Sequence, residues 1–375
     1  MKIVYCIQGT YNSGGMERVL ANKANYLANH GYDITILTTE QKGRPPFYHY
    51  DKRIKHIDFG INYWDNTSRP LLLKIPYYFF NKWKHRRLLT QFLMREKADI
   101  VISMFAHDMA HLTKIKDGSK KILEYHFTKQ RMLQMKRSGL RGLIDTATFN
   151  KVNQSIREYD KFIVLTDADK RNWGGDSTIT IPNAATFKSY KTALLTKKKA
   201  LAVGRLAYEK GFDRLIDIWE LFHKSHPEWT LEIIGNGGLK SELENRIKAK
   251  GLQDSICLSG TSLDIQNKYN ESSVLLMTSR HEGLGMVLIE AQACGVPVIA
   301  YDVPCGPAEI IHDGEDGFLI KDGEIDDFVK KLSHVATNEN LRHKMGNAAY
   351  LNAQRYSEDA IMAQWEDLFH ELTKK

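Results

Sequence analysis

The constraint that acts on every part of this 375-residue chain is a repeated alternation of short apolar runs with longer segments of helical periodicity. Runs rich in Ile, Val and Leu lie at 1–7, 34–38, 100–104, 121–125, 162–166, 199–203, 231–234, 256–258, 273–277 and 298–301. Each is too short for a helix, and most are followed by an amphipathic stretch, as expected of buried parallel strands joined by helical crossovers. The expected fold class is therefore α/β, with doubly wound parallel sheets. A chain of this length exceeds what one core usually serves, so two Rossmann-like domains are expected. Periodicity is weakest at 182–198, PNAATFKSYKTALLTKK, which divides the chain into residues 1–182, residues 183–355 and a terminal helix at 356–375. That helix carries Ile361, Trp365, Leu368, Phe369 and Leu372 on one face.

Residues 279–311 read SRHEGLGMVLIEAQACGVPVIAYDVPCGPAEII. Glu282 and Glu290 stand eight residues apart across a glycine turn, containing Gly283 and Gly285, and the helix predicted at 286–294 after it. Gly295 and Pro297 stop that helix. A strand, glycine turn and helix in this order aim free backbone N–H groups and a positive dipole end at whatever lies above the turn, which favours an anion. A second motif, VGRLAYEKG, follows the strand at 199–203 and puts Arg205 and Lys210 just before another helix. A cation at a helix N-terminus is disfavoured by up to about 1 kcal/mol, so an anion is expected to share the site. Arg205 offers a planar fork and Lys210 a point charge, a pair suited to a diphosphate. At the amino terminus, Gly14 and Gly15 open a helix with Val19, Leu20, Ala24 and Leu27 at helical spacing, where α/β domains hold phosphates.

These motifs resemble those of family 4 glycosyltransferases, retaining enzymes of the two-domain GT-B fold. Glu282 and Glu290 match the family's E-x7-E signature, GVPVIA and CGPAEII agree around it, and Arg205 and Lys210 fall on the cationic positions of its diphosphate-binding segment. The resemblance implies that Glu282 faces the donor sugar beside Gly283, Leu284 and Gly285, that Glu290 bonds the ribose, and that Arg205, Lys210, Gly14 and Gly15 meet the donor diphosphate. His126, at the end of the run 121–125, resembles the first-domain histidine that contacts the donor sugar across the cleft, so the catalytic positions are Glu282 and His126. Retention is likewise implied by resemblance, through same-face attack, since no double-displacement nucleophile is evident. Leu284 and Met286 depart from the commonest EGFG pattern but stay apolar.

The form DVPCGPAEII resembles bacterial members that build capsule, O-antigen or lipid-linked glycans. This implies a UDP-linked hexose donor (Gal, GalNAc, Glc or GlcNAc) and a saccharide or polyprenyl-diphosphate-linked acceptor bound within residues 43–97. It also implies a terminal helix that crosses back onto the first domain. No cofactor beyond the nucleotide-sugar and no metal is expected. The rivals are a sugar-nucleotide epimerase of the same fold and a non-catalytic nucleotide-sugar-binding module docked on a membrane.

Other motifs weigh less. Asp167-Ala168-Asp169 reads as part of a helix cap begun by Thr166, not as a metal site. Gly235-Asn236-Gly237-Gly238 lacks the third glycine of a dinucleotide fingerprint, Lys240 standing in its place. His107 and His111 are spaced to share a helix face but have no third ligand. Cys6, Cys257, Cys294 and Cys305 show no metal spacing and read as reduced thiols of a cytoplasmic protein.

Charge is uneven. Residues 1–185 hold 30 Lys+Arg against 17 Asp+Glu, and the remainder 23 against 28. Residues 69–97 carry eight basic residues and one acid among Leu71, Leu72, Leu73, Ile75, Tyr77, Tyr78, Phe79, Phe80 and Trp83, and 129–141 adds five cations and no acid. Two readings stand: a helix lying on an anionic membrane, peripheral to the inner face of the plasma membrane, or a helix packed into the first domain with solvated charges. Nucleic acid is not expected, because no nucleic-acid-binding motif accompanies the charge.

Overall fold

The computed structural model describes residues 1–375 apart from 67–69, 131–138, 190, 191, 263 and 375. The chain divides into two compact units, Met1–Ile181 together with Met362–Lys375, and Pro182–Ile361. Among the described residues the first unit has seven strands: β1 (Lys2–Ile7), β2 (Asp33–Thr38), β3 (Lys55–Asp58), β4 (Ile100–Ser103), β5 (Lys120–Glu124), β6 (Lys161–Val164) and β7 (Thr178–Thr180). They form one sheet in the order β3-β2-β1-β4-β5-β6-β7, every neighbouring pair parallel. The second unit has six: β8 (Lys199–Val203), β9 (Thr230–Ile234), β10 (Ile256–Leu258), β11 (Val274–Met277), β12 (Val298–Asp302) and β13 (Gly317–Lys321). Their order is β10-β9-β8-β11-β12-β13, again all parallel.

Three strands escaped the sequence reading, β3, β7 and β13, all outermost in their sheets. β3 and β7 are short and carry polar residues, which an edge strand with one unpaired side tolerates. β3 is the polar KHID, largely exposed. β13 begins at Gly317, where a side chain would overlap the Val298 carbonyl of β12. The central strands are buried on both faces. In the second unit Leu215, Ile216, Trp219 and Phe222 line the inner side of the helix Phe212–His223. Each such fully buried side chain contributes roughly 1.5–3 kcal/mol.

Each sheet reverses its strand order once, between β1 and β4 and between β8 and β11. Helices leave to opposite faces at such a point and open a crevice at the carboxyl ends of the two strands. In the second unit those ends lead into Arg205–Lys210 and Ser279–Gly285, so the two motifs found separately in sequence are neighbours in space.

The terminal helix Glu358–Thr373 buries Met362, Trp365, Leu368 and Phe369, and from Met362 it belongs to the first unit. Lys23, on the helix Gly15–Asn29, places its ammonium 3.8 Å over the Trp365 ring and 2.6 Å from both oxygens of Glu124 at the end of β5. Both side chains are buried. Burial alone raises the Glu124 carboxyl, but the charges of Lys23 and His126 prevail and hold it at about 2.

Among the described residues no helix is long and apolar enough to cross a membrane.

Replacing Lys23 by Met leaves Glu124 buried with its ammonium partner gone and only His126 beside it. A loss of about 3–5 kcal/mol in urea unfolding is expected. Because the folded-state value of Glu124 lies below the roughly 4.3 of an unfolded chain, its contribution is complete above that pH and is lost as pH falls from there towards about 2. Acid titration of Glu124→Gln should lack that segment of the stability curve; an unchanged curve contradicts the assignment.

Candidate functional site

After β8 the chain passes Gly204–Ala207, makes a 3-10 turn at Tyr208–Lys210 and enters the helix Phe212–His223 through Gly211, whose φ is +64°. After β11 it runs through Thr278–Gly285 into the helix Met286–Ala293. These loops dock backbone to backbone. Thr278 Oγ1 donates to the Gly211 carbonyl at 2.9 Å, and a side chain at Gly211 would overlap the Thr278 carbonyl. Arg214 donates to the carbonyls of Thr278 (3.2 and 2.6 Å) and Ser279 (2.8 Å). Arg280 donates to the Tyr208 carbonyl at 2.8 Å and forks onto Asp213 at 2.8 and 2.6 Å. The Arg280 hydrogen bonds hold the Asp213 carboxyl below the usual carboxylate range. Sequence reasoning passed over both arginines, because carbonyl recognition leaves no residue pattern.

The segment Gly235–Gly238 belongs to this packing. Side chains at Gly235 and Gly237 would overlap the Gly204 and Leu206 carbonyls, and Leu206 N donates to the Asn236 carbonyl at 2.9 Å. Its glycines allow β-strand loops to approach each other, which explains a glycine cluster without a dinucleotide fingerprint.

Within this frame Lys210 Nζ lies 2.7 Å from Glu282 Oε1, which also accepts from Ser279 Oγ at 2.6 Å. The anion anticipated beside Lys210 is thus present in the chain itself, and the position of this lysine does not by itself require a ligand. Arg205 pairs with Glu209 on the surface. Gly285, at φ +90°, precedes the first turn of the helix Met286–Ala293, and Leu284 buries its side chain, so this turn offers a ligand mainly backbone N–H groups. Gly306 abuts the Leu284 carbonyl, where a side chain would overlap it.

Glu290, 7% exposed, is held at both oxygens: Tyr269 Oη donates to Oε2 at 2.9 Å and Thr186 Oγ1 to Oε1 at 2.5 Å. Tyr269 comes from the helix Ile265–Asn270, and neither partner was marked by the sequence. Burial, with the charge of Glu290 adding to it, pushes the nearby Cys294 thiol up to about 12.

The remaining predicted residues lie in the first unit. Gly14 precedes and Gly15 begins the helix Gly15–Asn29, and a side chain at Gly14 would overlap the Glu17 carboxylate. His126 Nε2 stands 3.2 Å from Glu124 Oε1. Burial raises the Glu17 carboxyl, opposed by its own backbone N–H, the Asn12 side chain and the charge of His126. The glycine turn and His126 therefore act on one carboxylate, Glu17, which sequence reasoning did not select.

Thr166 caps its helix as expected, accepting from Asp169 N at 3.1 Å. The Asp169 carboxylate does not complete the reciprocal box; it accepts from Lys129 N and Trp173 Nε1, both at 3.1 Å. His107 and His111 do not share a helix face, because the helix spans only Met109–Leu112. His107 lies against the Tyr63 ring, while His85 joins His111 with ring centroids 4.9 Å apart. Burial, then neighbouring charges, pushes His85 down to about 3 and His111 to about 4. Among the described residues no group of three or more His, Cys, Asp or Glu is arranged to hold a metal ion. Cys6, Cys294 and Cys305 are buried free thiols and Cys257 is exposed.

Two family models divide the chain: "Glycosyltransferase Family 4" matches residues 13–183 and "Glycosyl transferases group 1" matches residues 186–352. The chain is 30% identical over 392 residues to the amylovoran biosynthesis glycosyltransferase AmsD of Erwinia amylovora, covering 98% of this chain and 99% of that protein. It is 29% identical over 378 residues to an uncharacterized glycosyltransferase of Haemophilus influenzae, with coverage of 98% and 99%. A crystal structure of an S. aureus TarM mutant in complex with fondaparinux, alpha-GlcNAc-glycerol and UDP matches with a TM-score of 0.77 at 18% identity, over 98% of this chain and 99% of that one. That likeness shows the fold, GT-B.

Thermal unfolding orders three substitutions in the second unit. Gly211→Ala meets both a left-handed backbone and the Thr278 carbonyl and should cost at least about 2 kcal/mol. Tyr269→Phe, leaving a buried carboxylate oxygen without this donor, should cost about 1–2 kcal/mol. Arg205→Ala, losing an exposed pair, should stay within about 0.5 kcal/mol. Arg205→Ala proving the most damaging of the three would contradict this account of the loops.

Proposed function

The chain belongs to glycosyltransferase family 4, and from that premise we propose that it moves a hexose from a UDP-sugar to a saccharide or polyprenyl-diphosphate-linked saccharide in bacterial surface-polysaccharide biosynthesis. The family makes it a glycosyltransferase; the donor, retention of configuration and independence of metal are our reading. The observation that carries it is the convergence of Arg205, Lys210, Glu282 and the 283–285 turn where the second sheet reverses its strand order, with Glu290 one helix away. The UDP held by the TarM structure and the amylovoran role of the AmsD relative support the donor and the setting.

In this reading departure of a nucleoside diphosphate is the difficult step, and charge stabilisation supplies much of the rate. Arg205, Lys210, the N–H groups at the start of the helix Met286–Ala293 and the Gly14-Gly15 turn receive the diphosphate. Glu290, already oriented by Tyr269 and Thr186, accepts from the ribose hydroxyls. Glu282 holds Lys210 through one oxygen and accepts from a sugar hydroxyl, beside the backbone of Gly283, Leu284 and Gly285. His126, beside Glu124, also meets the donor sugar. Same-face attack by the acceptor hydroxyl, with the departing phosphate taking its proton, gives retention without a protein nucleophile. We place the reaction on the cytoplasmic side of an anionic membrane, where a polyprenyl-linked acceptor resides.

Thermal shift against UDP, GDP, ADP, NAD and UDP-sugars, with and without EDTA, tests this reading. UDP and UDP-sugars should stabilise the protein equally with EDTA present. Glu290→Ala should weaken that binding roughly 10- to 150-fold, the worth of a charged hydrogen bond of about 1.5–3 kcal/mol. A response to ADP or NAD alone, or one abolished by EDTA, sinks the donor or the metal-free part. An inverted anomeric centre in the product, read by NMR, sinks retention.

A further inference from the structure

We infer that the outward face of the helix Leu71–Glu96 is a docking surface for an anionic lipid bilayer. This helix buries Asn81, His85, Leu89, Phe92 and Leu93 against the first unit. That is the side on which the alternative sequence reading needed the apolar segment to lie. Instead Ile75, Phe79, Phe80 and Trp83 are 61%, 63%, 55% and 55% exposed. Residues two apart point about 200° away from each other round a helix, so Phe79 faces away from the direction of Asn81, and Ile75, Phe79 and Trp83 follow each other one turn apart. Three large apolar side chains on one stripe, with Phe80 exposed beside it, are not the scattered exposure of an ordinary surface.

Charge decides the occupant. Lys82, Arg86 and Arg87 follow the apolar turns, and among the described residues none of them pairs with a carboxylate. The sole acid in the helix is Glu96, in its last turn, where Lys2 and Arg95 meet it. The Arg87 guanidinium sits 5.5 Å over the Trp83 ring, joining a cation to an amphipathic aromatic. The core of a protein interface is depleted in charge, whereas here cations interleave with aromatics. An interfacial helix has this composition: its apolar side chains enter the acyl boundary and its cations remain among anionic headgroups. The helix is about 39 Å long at 1.5 Å per residue and does not meet the requirements of a membrane span. Arg69, the Leu71 and Leu72 side chains and most of the basic run 129–141 lie outside the described residues and contribute nothing to this inference.

The use of this surface, to bring the enzyme to a lipid-linked acceptor, rests on the function proposed above; the docking itself does not. The test is therefore made without donor or acceptor: co-sedimentation with phosphatidylglycerol–phosphatidylcholine vesicles against pure phosphatidylcholine vesicles. Three proteins are compared, wild type, Arg86→Ala with Arg87→Ala, and Phe79→Ser with Trp83→Ser, each checked for an unchanged urea midpoint and an unchanged UDP-induced thermal shift.

Preferential binding of wild type to anionic vesicles is expected. The arginine variant should lose about 30-fold in partitioning, about 1 kcal/mol per cation, and the aromatic variant should bind neither vesicle. Equal binding to both vesicle types, or variants that bind like wild type, overturns the inference. So does a concentration-dependent dimer in sedimentation velocity that the aromatic variant abolishes while vesicle binding is absent, since the face is then an interface between copies. Vesicle binding with no response to UDP in any of the three proteins sustains the docking surface and counts against the donor reading alone.

Discussion

The second unit depends on one close approach, the Gly211 backbone against the Thr278 carbonyl. Everything at the sheet's reversal point follows from it. With no side chain at position 211, the end of the β8 loop lies directly on the start of the β11 loop. Arg214 and Arg280 then fix that contact through carbonyls and Asp213. Only in this register does Lys210 reach Glu282 across 72 residues of sequence. Parallel sheets place such loops side by side in general; the glycine and two arginines convert proximity into a fixed spacing.

The first unit is tied differently. Its sheet end is organised round a buried charge, Glu124, that three elements satisfy together: the first helix through Lys23, the stretch after β5 through His126, and the terminal helix through the Trp365 ring under the Lys23 ammonium. A buried ion pair adds little net stability over an apolar substitute, but it penalises any arrangement that breaks it. Glu124 Oε1 also lies 3.2 Å from His126 Nε2. The same carboxylate thus links the packing of the terminal helix to His126, the residue proposed to meet the donor sugar.

Much of this was legible in sequence, and what was not divides along physical lines. Ten apolar runs announced ten of the thirteen strands found among the described residues, because a strand buried on both faces must be continuously apolar. The three missed are outermost; in β3 and β7 that demand lapses, whereas β13, GFLIK, is apolar and was passed over. Gly285 was visible as a turn residue and Gly295 as a helix stop, and their positive φ values are what those positions require; Gly211, also at positive φ, was not singled out. What could not be read was partnership at long range. Nothing in the spacing of Glu290 indicates Tyr269 or Thr186, and nothing beside Lys210 indicates that Glu282 answers its charge. The aromatic helix was legible as a composition but not as an orientation; its two faces separate only when Asn81, His85 and Leu89 are seen to be the buried ones.

The cations near the second unit's loops are not equivalent, and their partners say which of them can serve an incoming anion. Arg214 spends its guanidinium on two carbonyls and Asp322, and Arg280 on a carbonyl and both oxygens of Asp213. Withdrawing either would undo the loop contact that forms the site, so neither is exchangeable. Arg205 is different: its side chain is 62% exposed, and its partner Glu209 lies one helical turn along the same surface segment. Exposed pairs of this kind are worth at most about 1 kcal/mol, so the proposed diphosphate, carrying more charge and more acceptor oxygens, would displace Glu209 at small cost. Lys210 is intermediate. Its ammonium can bond an anion while keeping Glu282, because it has three donors and Glu282 takes one. Lys210 thereby joins a proposed phosphate subsite to a proposed sugar subsite: in that proposal the negative charge that develops on the departing diphosphate meets the same ammonium that holds Glu282.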